Sequence, residues 1–321
     1  MFYDRTGPRP IADLLHFNGD NLLRFILSSN SLYQIPYPVT PADLAGVPTS
    51  LVALDPNLQI PYIFQYSFGI ERQVTAKSTF SATYVGTRGI HLFRSRDINA
   101  PLPPAYLGRP STAFGQIRQM ESEGYQKGNS LELTFRGKPT KWFAGQAQYT
   151  LGKTYNNTSG IRYFPGNSNF PSLDWARSDN DMRNKFDLLG SFAPTDLFSV
   201  GIALQAYSGK PVNVITGLDS NGDGVFNDRP DGGLAARNTL HGPGLVNLDV
   251  NLEHDFHFGK EKKQGPTLTA ALNVFNVLNH PNFVSYIGVI GPDGGPQNPN
   301  FGLPAAANPG RRFQANLEFK F

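Results

Sequence analysis

The chain closes on Arg311-Arg312-Phe313-Gln314-Ala315-Asn316-Leu317-Glu318-Phe319-Lys320-Phe321. From Phe313 onward every odd position is apolar (Phe313, Ala315, Leu317, Phe319, Phe321) and every even one is polar (Gln314, Asn316, Glu318, Lys320). A period of two marks a strand with one apolar and one wet face. Soluble sandwiches also use such strands, but they have no physical reason to end on an aromatic beside a free carboxylate, because chain ends fray into water. A membrane strand has one: its outward face meets lipid, and aromatic side chains sit at the interface where the polar chain end stays hydrated.

The same alternation recurs upstream. Tyr62 to Gln73 sets Tyr62, Phe64, Tyr66, Phe68 and Ile70 on one face against Gln65, Ser67, Gly69 and Glu71, more aromatic than a half-buried soluble strand needs. Further apolar faces read Phe80-Ala82-Tyr84, Leu131-Leu133-Phe135, Phe143 to Leu151, Phe186 to Phe192, Val200 to Ala206, Val246 to Leu252 and Leu268 to Val274. These predict nine strands, with Phe2-Tyr3-Asp4-Arg5 as the remnant of a tenth. The connections alternate in length. Short ones fall at 75–77, 137–140, 194–196 and 259–265, and long ones at 87–128, 153–183, 209–243 and 279–310. An up-and-down barrel with short periplasmic turns and long extracellular loops requires that alternation, and the last strand then ends on the short-turn side.

Composition agrees. Gly (33), Pro (26), Phe (24) and Tyr (13) are abundant, and charged residues, at 17%, fall below the usual share of about a quarter. No run of eighteen apolar residues exists, which excludes membrane-spanning helices. A net charge of +3 with scattered Lys and Arg excludes nucleic acid as a partner. The absence of Cys excludes disulfides and thiolate chemistry. Met1-Phe2-Tyr3-Asp4-Arg5 lacks the basic and apolar regions of an export signal, so the chain is expected to be the back part of a longer exported protein.

The terminal strand resembles the carboxy-terminal assembly signal of bacterial outer-membrane proteins. Most of the chain resembles the carboxy-terminal half of TonB-dependent outer-membrane receptors, in particular the Oar-like group. The resemblance rests on Tyr66-Ser67-Phe68-Gly69-Ile70-Glu71-Arg72-Gln73, Tyr84-Val85-Gly86-Thr87-Arg88-Gly89, His91-Leu92-Phe93-Arg94 and Asn99-Ala100-Pro101. It continues in Gly217-Leu218-Asp219-Ser220-Asn221-Gly222-Asp223-Gly224, Asn227-Asp228-Arg229-Pro230 and Asn273 to Phe283. It implies a plug-containing barrel of 22 strands that imports bulky nutrients with energy relayed by TonB, and a chain that meets outer-membrane lipid, lipopolysaccharide and the barrel-assembly machinery. The plug and its TonB-contacting segment are not in this sequence, so TonB and plug are partners of an intact parent only.

No catalytic signature is present: there is no Gly-x-Ser-x-Gly, phosphate-binding glycine loop or His-Glu-x-x-His. His254 and His257 are three apart on a strand and point to opposite faces, which argues against a shared metal. Trp142 and Trp175 read as interface or loop packing. Arg88, Arg94 and Arg96 form a basic cluster at a loop base, either solvated or in contact with lipopolysaccharide. Asp219, Asn221, Asp223, Val225, Asn227 and Asp228 follow the spacing of a Ca²⁺ loop, with Gly224 at the sixth position but Pro230 where an EF-hand has Glu. Two readings stand: a weak Ca²⁺ site, or a hairpin tip whose Asp and Asn side chains bond their own backbone.

The expected organisation is therefore a strand remnant and long loop over 1–59, then an all-β, antiparallel transmembrane barrel segment over 60–321, in the outer membrane and without enzymatic activity. Transport by this segment alone is not expected. A small passive pore and a soluble calcium-binding adhesin or sandwich are the alternatives.

Overall fold

The computed structural model describes residues 2–3, 9–26, 40–195, 198–258 and 265–321. Its strands, in chain order, are β1 (Phe2–Tyr3), β2 (Leu51–Leu54), β3 (Tyr62–Thr75), β4 (Ser78–Asp97), β5 (Ile117–Gly137), β6 (Phe143–Asn156), β7 (Ala176–Arg177) and β8 (Asn184–Thr195). Then follow β9 (Phe198–Tyr207), β10 (Pro211–Val212), β11 (Leu240–His241), β12 (Leu245–His257), β13 (Thr267–Phe275), β14 (Phe283–Tyr286), β15 (Pro304–Ala307) and β16 (Arg312–Lys320). Among the described residues one α-helix, α1 (Arg9–His16), precedes β2, and a short 3-10 turn covers Pro171–Asp174. The nine long strands are those the alternation marks, and β1 pairs with the start of β3.

The wall runs β1-β3-β4-β5-β6-β8-β9-β12-β13-β16, each strand antiparallel to its neighbours. Its register aligns the apolar faces into bands. One row reads Ile70, Ala82, Leu133, Tyr149, Phe186, Ala206, Val246 across seven strands. The adjacent row, on the other face, reads Glu71, Ser81, Thr134, Gln148, Asp187, Gln205, Asn247. The last three strands repeat the contrast, with Val250, Val274 and Phe313 beside Asn251, Asn273 and Gln314. A slip of one residue at any pair would exchange the two faces, so the alternation itself specifies the pairing. Glycines on the apolar face make room for rings: a Cβ on Gly86 would lie 2.2 Å from a ring carbon of Tyr66 on the facing strand.

The short connections gather at one end of the wall and the long ones at the other. The expected turns at 194–196 and 259–265 lie partly or mostly outside the described residues. At 87–128 the expectation of one long loop is corrected. β4 and β5 continue past a bulge between Gly89 and Leu92, where His91 has φ 56°, and stay paired out to Asp97 and Arg118. The loop proper is 98–116. Alternation fades along this arm because both its faces are covered by loops, so neither has to be uniformly apolar. β2 adds to it as a parallel strand along Ile117–Met120 of β5.

The loops form a layer on that end, tied by the β10–β11 and β14–β15 ribbons and a parallel bridge between Ile215 and Val289. Buried side chains concentrate here and are mostly polar. Among the described residues the buried apolar ones, apart from Gly and Pro, are Val52, Ala100, Met120, Ala176 and Val214. Hydrogen bonds rather than an oily core hold this layer, as expected where the wall's apolar face is turned outward to lipid.

Candidate functional site

Three of the long loops are locked through a few buried polar hubs. Asp97, at the end of the arm, accepts from Arg109 Nη1 at 2.5 Å and from the backbone N–H groups of Asn99 and Ile117, both at 2.9 Å. Asn99 donates to the carbonyls of Ser111, Phe114 and Gly115 and accepts from the Ser111 N–H, closing the 98–116 loop on itself. Arg109 Nη2 and Gln116 Nε2 then donate to the carbonyls of Gly222 and Asp223, each at 2.8 Å. Asp174 accepts from Arg229 Nη1 at 2.6 Å and from the Tyr163 hydroxyl at 2.6 Å, and burial followed by the Asp174 charge pushes that phenol above its ordinary value. With Arg229 and Asp174 both almost fully buried, removing either would strand the other's charge.

In the 219–228 loop, each Asp carboxylate accepts from the loop's own backbone, and other polar atoms reach the 164–168 segment. Asp219 Oδ2 accepts from the Gly224 N–H at 2.9 Å, and Asp223 Oδ1 from the Val225 N–H at 3.0 Å. Asp228 takes the N–H groups of Ser220 and Asn221 and the Asn221 side-chain amide. Asn227 donates instead to the carbonyls of Phe164 and Pro165, and Ser168 donates to Asp223 Oδ2 at 2.8 Å. These are the bonds an Asx-rich tip makes, and they leave Asp219 Oδ1 and Asn227 Oδ1 buried with no partner among the described residues. Burial, then the neighbouring Asp219 charge, pushes Asp223 up to about 7 against the Ser168 bond, and burial pushes Asp228 up to about 6.

Sequence reasoning marked this loop but missed the cleft next to it. A cleft of about 620 Å³ opens where the 157–183, 208–244 and 276–311 connections meet. Its walls are mixed: Met182, Pro211, Phe283 and Val284 supply apolar surface, while Asp179, Lys210 and Arg237 supply charge. Arg237 is 2% exposed, lies 5.2 Å over the Tyr163 ring and donates Nη2 to the Asn156 carbonyl, with no acceptor for Nε or Nη1. A volume of this size suits a small-molecule or oligomeric ligand. No motif announces it, because its residues come from three loops far apart in sequence.

The remaining candidates fall on the wall or at its margins. Phe313, Ala315, Leu317, Phe319 and Phe321 share one exposed side of β16 and its end, and Phe64, Tyr66 and Phe68 are exposed on β3, while Tyr62 is half-buried against the His91 ring. His254 faces Ala270 and His257 faces Thr267, on opposite sides of β12, so they form no pair. Trp142 packs edge-on against Phe192 near a short turn, and Trp175 stacks with Tyr125 and Tyr155 in the loop layer. In the basic cluster, Arg94 and Arg96 are drawn onto Glu121 at 2.6 and 3.1 Å, and Arg88 Nη1 donates to the carbonyls of Thr87 and Gly128.

The chain belongs to the outer membrane beta barrel domain family, which matches residues 1–233 and 225–314. Its fold is similar to the outer membrane transporter YddB of Escherichia coli, at 16% identity over 84% of this chain and 34% of that one, with a TM-score of 0.56. A mutant of the ferric enterobactin receptor PfeA of Pseudomonas aeruginosa matches at 17% identity over 82% and 32% of the two chains, TM-score 0.49. The ferripyoverdine receptor of the same organism's outer membrane matches at 13% identity over 80% and 27%, TM-score 0.48. This chain thus spans about a third of the length of the solved structures it matches. No curated protein matches it. The chain is an antiparallel wall of an outer-membrane β-barrel domain. The soluble sandwich alternative is overturned, because the long strands form one wall with a continuous apolar face rather than two facing layers.

Proposed function

We propose that this chain is the substrate-receiving part of a TonB-dependent, Oar-like outer-membrane receptor whose intact form imports a bulky nutrient without chemically altering it. The observation that carries this reading is the mixed-polarity cleft held between three long loops, on the end of the wall opposite the short turns. Loops locked over one another by buried ion pairs such as Arg229–Asp174 favour this reading over a passive pore. A receptor does, because pre-ordered loops reduce the entropy lost when a ligand is captured. The plug and the TonB contact belong to the intact receptor, and the apolar side of β16 is the signal presented to the barrel-assembly machinery.

The test is genetic. Deleting the gene is expected to abolish growth on at least one of a panel of polymeric carbon sources and metal chelates, and deleting TonB to reproduce that loss. A panel in which no growth defect depends on TonB would sink the import reading.

A further inference from the structure

We propose that a second pocket, bounded by Asp13, Arg24, Arg118 and Arg162, binds a tetrahedral oxyanion of the phosphate type. The pocket measures about 170 Å³ and lies where α1, β2, the β5 arm and the loop after β6 meet, on a different set of residues from the cleft above. It requires neither that cleft nor import. Three guanidinium groups line it against a single carboxylate, leaving an excess of two positive charges.

The three are held differently. Arg118, 8% exposed, is fixed by bonds from Nε to Ser95 Oγ at 2.8 Å, from Nη1 to Asp13 at 3.1 Å and from Nη2 to the Ile161 carbonyl at 3.0 Å. Its guanidinium also lies 5.6 Å over the Phe164 ring. Arg162 reaches the same Asp13 carboxylate through Nη2 alone, at 3.1 and 3.2 Å, so its other nitrogens are free to donate. Arg24 is half-buried, yet among the described residues its side chain makes no hydrogen bond or ion pair. Asp13 is thus bonded by two of the cations, while Arg24 feels the same carboxylate only through space, without a hydrogen bond.

Partly desolvated like charges repel, and the apolar walls formed by Phe17, Val52 and Phe164 weaken the water screening that would relieve them. An oxyanion with several acceptor oxygens relieves both problems at once. Guanidinium forks match phosphate oxygens in pairs, which favours such a group over a halide. The volume well exceeds the roughly 30 Å³ share of one water. The anion can come from a soluble phosphorylated molecule or from a lipid headgroup, and the chemistry of the site is common to both.

The experiment uses the full chain in dodecyl maltoside and follows phosphorus NMR line broadening of inorganic phosphate. Phosphate is expected to broaden in the presence of the native chain, and Arg24→Gln and Arg162→Gln are each expected to weaken the apparent affinity about tenfold. Arg162 has a side chain 53% exposed, so that variant keeps its fold, which circular dichroism checks. Broadening that is absent, or unchanged in both variants, overturns the site. Competition then identifies the source: displacement at lower concentration by a short-chain phosphatidic acid assigns a headgroup, and by glycerol 3-phosphate a soluble ligand.

Discussion

Leu317 and Asn316 are neighbours in the chain and opposites in environment. Leu317 continues the row that holds Ala270, while Asn316 continues the polar row of Ala271 and Glu253. Leu317→Arg is expected to cost about 2 to 4 kcal/mol near the bilayer midplane, falling toward the interface, and Asn316→Arg much less. Folding titrations into liposomes measure the difference, and equal effects would mean β16 does not face lipid as described. These environments were legible because a period of two survives in any single strand. The role of Asp223 was not: its partner Ser168 lies 55 residues away, and no local pattern links them. Its raised pKa sets a sign. Between its ordinary 3.8 and about 7 the closed loop holds a proton that the opened loop releases, so loop stability falls as pH rises through that window. Protease resistance of the 219–228 loop is therefore expected to be higher at pH 5 than at pH 8. Asp223→Asn should weaken that dependence, leaving the part set by Asp228, whose carboxyl burial raises to about 6.

At the level of elements, the arm formed by the outer halves of β4 and β5 went unread because its faces are packed by loops. There polar and apolar residues mix, and the length of a gap in alternation says nothing about whether the gap is paired. Its fastening is Glu121, 1% exposed, which answers both Arg94 and Arg96. Glu121→Gln leaves two guanidinium groups with no carboxylate, a loss on the order of 3 to 5 kcal/mol for a buried pair. The expected result is trypsin cleavage at Arg94 or Arg96 while the membrane-embedded wall stays resistant, and simultaneous loss of both would show that arm and wall unfold together. The loop tip makes a parallel case. Because its carboxylates already accept backbone N–H groups, Asp219→Ala is expected to expose 219–228 to protease equally in millimolar Ca²⁺ and in EDTA. Protection of the native loop by Ca²⁺ alone, lost in the variant, would instead establish the metal reading.

For the molecule as a whole, the nine long strands were readable from the last eleven residues outward, whereas the cleft and the loop hubs were not. Strand pairing repeats a local rule, while a cleft is assembled by contacts between loops that share no period. The wall leaves two free edges. Among the described residues β16 pairs only with β13, and β3 carries β1 along just Tyr62 and Ile63, so most of its outer edge has no partner. In lipid each unpaired backbone group costs several kcal/mol, and a bilayer offers no water to satisfy it. Edges this long and flat pair with whatever strand is available. This chain, expressed alone and purified in detergent, is therefore expected to associate through its β3 and β16 edges. Light scattering would report multimers, and cysteines placed at Gln65 and Asn316 would cross-link between chains. A monodisperse monomer whose Gln65 and Asn316 positions cross-link within one chain would show that the two edges meet and the wall closes by itself.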